Sequence, residues 1–218
     1  MSLPERLCGA IFDMDGTILD SMPIWDTVGA DYLRAQGLPV PPGLRRDLAP
    51  LSMQQTARYF MERCGVPGPP ERIIDGINAR VADFYRFSAP AKPGAERLLS
   101  GLRARGVRLA LATATDRPLV EAALRRTGLL SAFSCILTCS EVGVGKDRPD
   151  IYFAALRALH CPQASALVFE DALHAVETAK AAGFSVAVVR DASMDSQAPR
   201  LRELADLYLD SLSDFPLS

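Results

Sequence analysis

Two carboxylates, Asp13 and Asp15, stand two residues apart and are followed at once by Gly16 and Thr17. They come directly after the apolar run Leu7 to Phe12, and Gly16 permits a backbone turn that a side chain would obstruct. A second acid pair, Glu170-Asp171, follows another apolar run, Ala166 to Phe169. Four carboxylates meeting in one crevice repel one another without a cation. An oxygen-only donor set suits a hard ion, so Mg2+ is the implied cofactor. A phosphate ligand then needs positive charge and donors of its own. Lys146, in Gly143-Val144-Gly145-Lys146-Asp147-Arg148-Pro149-Asp150, stands just before a helical pattern. A point charge there can neutralise a carboxylate and a phosphoryl oxygen together. Thr113 offers a hydroxyl, and the backbone N–H groups that follow it, at Ala114 and Thr115, can hold a phosphoryl oxygen. Taken singly, Lys146 also fits a solvated loop lysine and Thr113 a helix N-cap.

The elements that must position these groups alternate. Short β-prone runs at Leu7 to Phe12, Val107 to Ala112, Ser134 to Thr138, Ala166 to Phe169 and Ser185 to Val189 each lead into a polar turn. Helical patterns separate them: Pro118 opens one that Gly128 closes, Pro149 opens Asp150 to Leu159, and Ala172 to Ala182 closes on Gly183. Near-continuous apolar strands alternating with helices predict an α/β fold with a parallel sheet covered on both faces. In such a sheet ligands bind beyond the carboxyl ends of the strands, where the acids and threonines above cluster. The alternation breaks between about Asp20 and Pro90. There the periodicity gives three helical faces: Ile24, Val28, Tyr32 and Leu33; Thr56, Tyr59 and Phe60; and Ile73, Ile74, Ile77, Val81 and Phe84. This stretch, closed by Ala89-Pro90-Ala91-Lys92-Pro93-Gly94, is a candidate second domain or lid, the alternative being further core helices in one domain.

The 218 residues, 23.5 kDa, suit one large domain or a domain with an insert. With 24 Lys+Arg against 26 Asp+Glu and a pI near 5.7, no overall field draws the chain to nucleic acid or anionic lipid. The longest apolar run, Ile151 to Leu156, is far below the roughly 20 residues of a membrane-spanning helix. Met1 to Arg6 is not read as a secretion signal, because an acid and a base precede a very short apolar run. Cys8, Cys64, Cys135, Cys139 and Cys161 are odd in number and contain no Cys-x-x-Cys pair, so a reducing, cytoplasmic setting is expected. Gly143-x-Gly145-Lys146 fails the nucleotide-loop pattern, with Ser140 and Asp147 at its ends. His160 and His174 are read as helix-surface or satisfied core residues, and Arg45-Arg46 and Arg125-Arg126 as solvated faces.

The order Asp-x-Asp-Gly-Thr, strand-Thr, Lys, strand-Glu-Asp, each at a strand end, resembles the haloacid dehalogenase superfamily of phosphotransferases. Within it, the likeness is to the helical-cap group that includes sugar-phosphate phosphatases, phosphoglycolate phosphatase and β-phosphoglucomutase. Phe12 to Ser21 is similar to the first motif and Leu111-Ala112-Thr113 to the second. Gly145-Lys146 with Pro149-Asp150 is similar to the third, and Val168-Phe169-Glu170-Asp171 with Ala181-Ala182-Gly183 to the fourth. The resemblance implies a Rossmann-like doubly wound core, residues 1–19 and 90–218, with an inserted α-helical cap, residues 20–89. It implies that Asp13 is the nucleophile of an aspartyl-phosphate mechanism and Asp15 the general acid/base. By the same resemblance Asp13, the main-chain carbonyl of Asp15 and Asp171 hold Mg2+, with Glu170 binding it directly or through water, while Thr113, Ala114 and Lys146 stabilise the phosphoryl oxygens.

The departures from the family bear on substrate. The mutase branch carries a histidine in the first cap helix, where this chain has Trp25, and two cations in a cap loop, where it has Ala49 and Met53. A bisphosphate would then be poorly held, which favours a phosphatase over a sugar-phosphate mutase. Trp25 and Met53 become candidates for apolar contact with a substrate body. Asp147, Ala172 and Ala175 replace the residues usual in the third and fourth motifs. The expected partner is a small phosphorylated metabolite, with no nucleic acid or membrane, for a monomer or weak homo-oligomer. A noncatalytic binding module of the same fold is the alternative from another class, and a dehalogenase would need neither Mg2+ nor the second acid.

Overall fold

Every strand of the sheet divides its side chains between two helical layers. The computed structural model describes residues 7–217; Met1 to Arg6 and Ser218, including the segment read above against a secretion signal, lie outside the described residues. The chain runs β1 (Gly9–Phe12), α1 (Met22–Ala35), α2 (Leu44–Leu48), α3 (Met53–Cys64), α4 (Pro70–Phe87), α5 (Ala95–Ala104), β2 (Arg108–Thr113) and α6 (Arg117–Arg126). It continues through β3 (Cys135–Thr138), α7 (Cys139–Val142), α8 (Asp150–Leu159), β4 (Ala166–Glu170), α9 (Leu173–Ala181), β5 (Ser185–Val189), α10 (Ala198–Leu204) and β6 (Leu207–Leu209). The strands pair in parallel in the order β3-β2-β1-β4-β5-β6. Phe12, Leu109, Leu111, Leu167, Phe169 and Val189 face a core shared with α5 and α6, while Ile11, Ala110, Val168, Val186 and Val188 face α8, α9 and α10.

The α/β reading with both faces covered is therefore the observed fold. It missed β6, whose Leu-Tyr-Leu is short, edge-placed and only half-buried at two positions, so it carries no apolar run. No helix among the described residues is long and apolar enough to cross a membrane.

Helices α1 to α4 fill the chain between β1 and α5. Ser52 and Gln55 form a reciprocal capping box that starts α3. Helix α4 buries Ile73, Ile77, Val81 and Tyr85, a four-residue spacing that brings Tyr85 inward and leaves Phe84 only half-buried. The two chain segments that lead into and out of these helices pair with each other. Asp20 N–H donates to Pro90 O (2.9 Å) and Lys92 N–H to Ile18 O (2.8 Å).

These helices rest on the carboxyl edge of the sheet. Asn78 on α4 donates to Asp116 (2.8 Å) at the start of α6, and Ser140 on α7 donates to the other Asp116 oxygen (2.5 Å). Arg126 differs from the solvated face expected of it: its guanidinium donates to Tyr85 O (3.2 Å) and Ala89 O at the end of α4. A Cβ at Gly145 would lie 2.3 Å from Pro50 O, so the loop ahead of α8 and the loop ahead of α3 approach as only a glycine allows.

Candidate active site

Strand β1 sits between β2 and β4, so the strand order reverses there, and in such sheets ligands bind beyond the carboxyl ends of those strands. Three strand ends supply its residues. Asp13 continues β1, its N–H donating to Phe169 O (3.0 Å); Thr113 ends β2; Glu170 and Asp171 end β4. Past Asp13 the chain folds back tightly, with the Ile18 and Leu19 N–H groups both donating to Met14 O and Gly16 at φ +84°.

Lys146 is 4% exposed, and its ammonium donates to both Asp13 Oδ1 and Glu170 Oε1. The Tyr152 hydroxyl adds a bond to the same Glu170 oxygen (3.0 Å). Thr17 donates to Asp171 Oδ1 (2.9 Å), whereas Asp171 Oδ2 is buried with no partner. One oxygen each from Asp13, Glu170 and Asp171 lies within 4.8 Å of the others. Burial pushes Asp13 up to about 8, against the pull of Lys146 and with the push of Glu170 and Asp15. Asp171 is raised well above the carboxylate range by burial, then by Asp13 and Glu170. Burial opposes the Lys146 charge, but Asp13 and Glu170 outweigh it and keep the ammonium protonated well beyond its ordinary range. Two of the three clustered carboxylates thus share one ammonium, and the third, Asp171, keeps an unpartnered oxygen. A hard divalent cation fits that donor set.

Gly16 makes room for this arrangement. A Cβ there would stand 2.3 Å from Asp171 Oδ2, on a backbone that L residues rarely adopt. Gly16→Ala is expected to cost about 1–3 kcal/mol of stability and to weaken divalent-ion binding by displacing Asp171. A urea melt and calorimetric Mg2+ titration measure the two effects.

Asp15 points elsewhere. The expectation for the metal concerned its main-chain carbonyl, and its side chain stands outside the acidic group. Oδ1 accepts from Ser21 (2.6 Å) and Tyr85 (2.5 Å), and Oδ2 accepts from Thr115 (2.6 Å). The buried Thr113 hydroxyl accepts from Thr115 N–H (3.1 Å), and the half-buried Ala114 lies between them. Trp25 Nε1 donates to the Tyr85 hydroxyl (2.6 Å), so its polar edge is turned to Tyr85. Met53 packs in the apolar cluster of the helical segment, and Ala49 is exposed at the end of α2. Half-buried His174, its imidazole lowered by burial, is in no ligand-spaced group among the described residues. Exposed His160 closes α8 in a left-handed conformation. Sequence reasoning missed Tyr85, Ser21 and Tyr152 as partners of the acids. Ser21 lay within the first quoted motif, but Tyr85 is one tyrosine on a helical stripe and carries no local signal.

A family model for haloacid dehalogenase-like hydrolases matches residues 9–183. The chain belongs to that family. This hydrolase is 27% identical to hexitol phosphatase B of Escherichia coli K12 over 223 aligned positions, covering 98% of the chain and 96% of the relative. It is 31% identical to the probable pseudouridine-5'-phosphatase of Drosophila melanogaster, with 97% and 92% covered. Among solved structures, CbbY from Rhodobacter sphaeroides in complex with phosphate superposes with a TM-score of 0.82 at 26% identity, 97% of each chain being covered. These similarities agree with the likeness carried by the four motifs, three of which end strands, whereas Lys146, expected at a strand end, lies in the loop between α7 and α8.

Proposed function

We propose that this hydrolase is a Mg2+-dependent phosphatase that cleaves a small-metabolite phosphomonoester through an aspartyl-phosphate on Asp13. The observation that carries the reading is the buried group of Asp13, Glu170, Asp171 and Lys146 at the sheet's switch point, with one Asp171 oxygen lacking any partner. Asp13, Glu170, Asp171 and the main-chain carbonyl of Asp15 would hold the ion. When bound, Mg2+ neutralises the carboxylates and draws charge from the phosphoryl oxygens.

The chain's own residues do the rest. An Asp13 oxygen attacks phosphorus while Asp15 delivers its proton to the departing alkoxide, forming the acyl phosphate and the free alcohol. Asp15, now a carboxylate, then takes a proton from a water that attacks the same phosphorus, which frees inorganic phosphate and restores Asp13. Lys146, the Thr113 hydroxyl and the Ala114 N–H stabilise the equatorial oxygens, while the Thr115 N–H is held by the Thr113 hydroxyl. Helices α1 to α4, within residues 20–89, act as the cap on a core of residues 1–19 and 90–218, excluding bulk water as they close. The setting proposed is cytoplasmic, on the cysteine usage of the chain.

The names of the relatives support a phosphorylated polyol, sugar or nucleoside as substrate. A mutase must also grip a second phosphate, and buried, apolar Met53 with Ala49 offers it no charge.

A phosphomonoester panel assayed with Mg2+ and with EDTA tests the reading. Phosphate release that requires the metal is expected, and no release from any ester would overturn it. The metal should also raise the melting temperature. Asp13 and Asp171 are both raised, so protons compete with the ion at acid pH. Apparent Mg2+ affinity is therefore expected to climb as pH rises from about 6 towards 8, measured by thermal shift across that range.

A further inference from the structure

The general acid proposed above is gripped by the helical segment, and the chemistry of one donor fixes the direction of the grip. Trp25 Nε1 lies 2.6 Å from the Tyr85 hydroxyl, which lies 2.5 Å from Asp15 Oδ1. An indole N–H can only donate. The Tyr85 oxygen therefore accepts from Trp25; the Thr115 hydroxyl also stands within reach of it, and the carboxylate oxygen Asp15 Oδ1, at 2.5 Å, takes its single proton. Ser21 and Thr115 carry freely rotating hydroxyls that donate or accept as Asp15 requires. Tyr85 has no such freedom while Trp25 holds it. The phenol is fully buried between these partners.

We infer that Tyr85, held by Trp25, is a positioning residue that keeps Asp15 Oδ1 an acceptor and assigns the transferable proton to Oδ2. Oδ2 is the oxygen beside Thr115, on the loop after β2 that also carries Thr113 and Ala114. A proton on Oδ1 would face two inward-pointing hydroxyls, one of which cannot turn away. Tyr85 lies on α4 and Trp25 on α1, so the device belongs to the helical segment although it acts on a residue that follows β1. Trp25 thereby takes a role other than apolar contact with substrate. The inference rests on the reading of Asp15 as the acid/base.

The leaving group supplies the test. An alkyl phosphate needs its departing oxygen protonated, whereas p-nitrophenyl phosphate departs with little help. For Tyr85→Phe, kcat/KM for the alkyl ester the native chain hydrolyses best is expected to fall about ten- to a hundredfold, and that for p-nitrophenyl phosphate by less than about threefold. Trp25→Phe should shift the ratio in the same direction by a smaller factor, and it decides the matter if Tyr85→Phe does not fold. Equal losses on both esters mark a merely structural role and overturn the inference, as does an unchanged ratio. A native chain inactive on every ester overturns the phosphatase reading itself, and this inference with it.

Discussion

Asp13→Asn is expected to lower kcat by at least about a thousandfold while leaving the fold intact. An amide of the same shape cannot attack phosphorus as a carboxylate does, but its oxygen can still accept from Lys146. Without a metal ion, Asp13 and Glu170 share one ammonium with Asp171 close by, and burial pushes Asp13 up to about 8. Removing one acid relieves that crowding. The metal-free melting temperature of Asp13→Asn is thus expected to equal or exceed that of the native chain. Loss of activity at undiminished stability separates chemistry from folding. Intact-mass measurement during turnover adds a second readout, because the native chain should gain a phosphoryl group that the variant never carries. Retention of more than about a tenth of the native kcat would remove Asp13 from the nucleophile's role.

Lys146→Met should damage both properties. The side chain is buried and its ammonium bridges Asp13 and Glu170. Methionine nearly preserves the volume but leaves two buried carboxylates with no cation. Breaking a buried pair in this way costs about 3–5 kcal/mol, part of which protonation of the acids will recover. The same change removes a charge directed at the phosphoryl oxygens, for which a loss of about a hundred- to a thousandfold in kcat is expected. The two losses should respond differently to metal. Saturating Mg2+ should restore much of the stability by binding the uncompensated acids, yet little of the turnover. A urea titration with and without Mg2+, beside steady-state kinetics, measures both, and equal stability of variant and native chain without metal would refute the bridge as a stabilising contact.

The helical segment shows where linear reading succeeds. Its three apolar faces follow from periodicity alone, because an exposed helix must bury one stripe whatever it packs against. Periodicity does not say which member of a stripe bears function. Phe84 and Tyr85 are neighbours with similar apolar bulk, and the choice of Tyr85 for the interior, hydroxyl towards Asp15, depends on how α4 lies across the first loop. Arg126 is similar: a helix-end arginine looks solvated until the end of α4 is brought beside it. Trp25 reads in the sequence as an apolar contact for substrate, but its donor is spent on a residue 60 positions away.

From sequence alone came the alternating sheet, the helical interruption, and the four motifs that carry Asp13, Asp15, Thr113, Lys146, Glu170 and Asp171. Those are local matters, set by apolar runs, by turn residues and by acids placed just beyond a strand. Tertiary structure alone decided that Lys146 bridges Asp13 and Glu170, that one Asp171 oxygen is left without a partner, and that Tyr85 and Thr115 each hold one oxygen of Asp15. Each of these joins residues far apart in the chain. Their meeting depends on strand order and on the packing of α4 over the sheet's edge, and no spacing along the sequence encodes either distance.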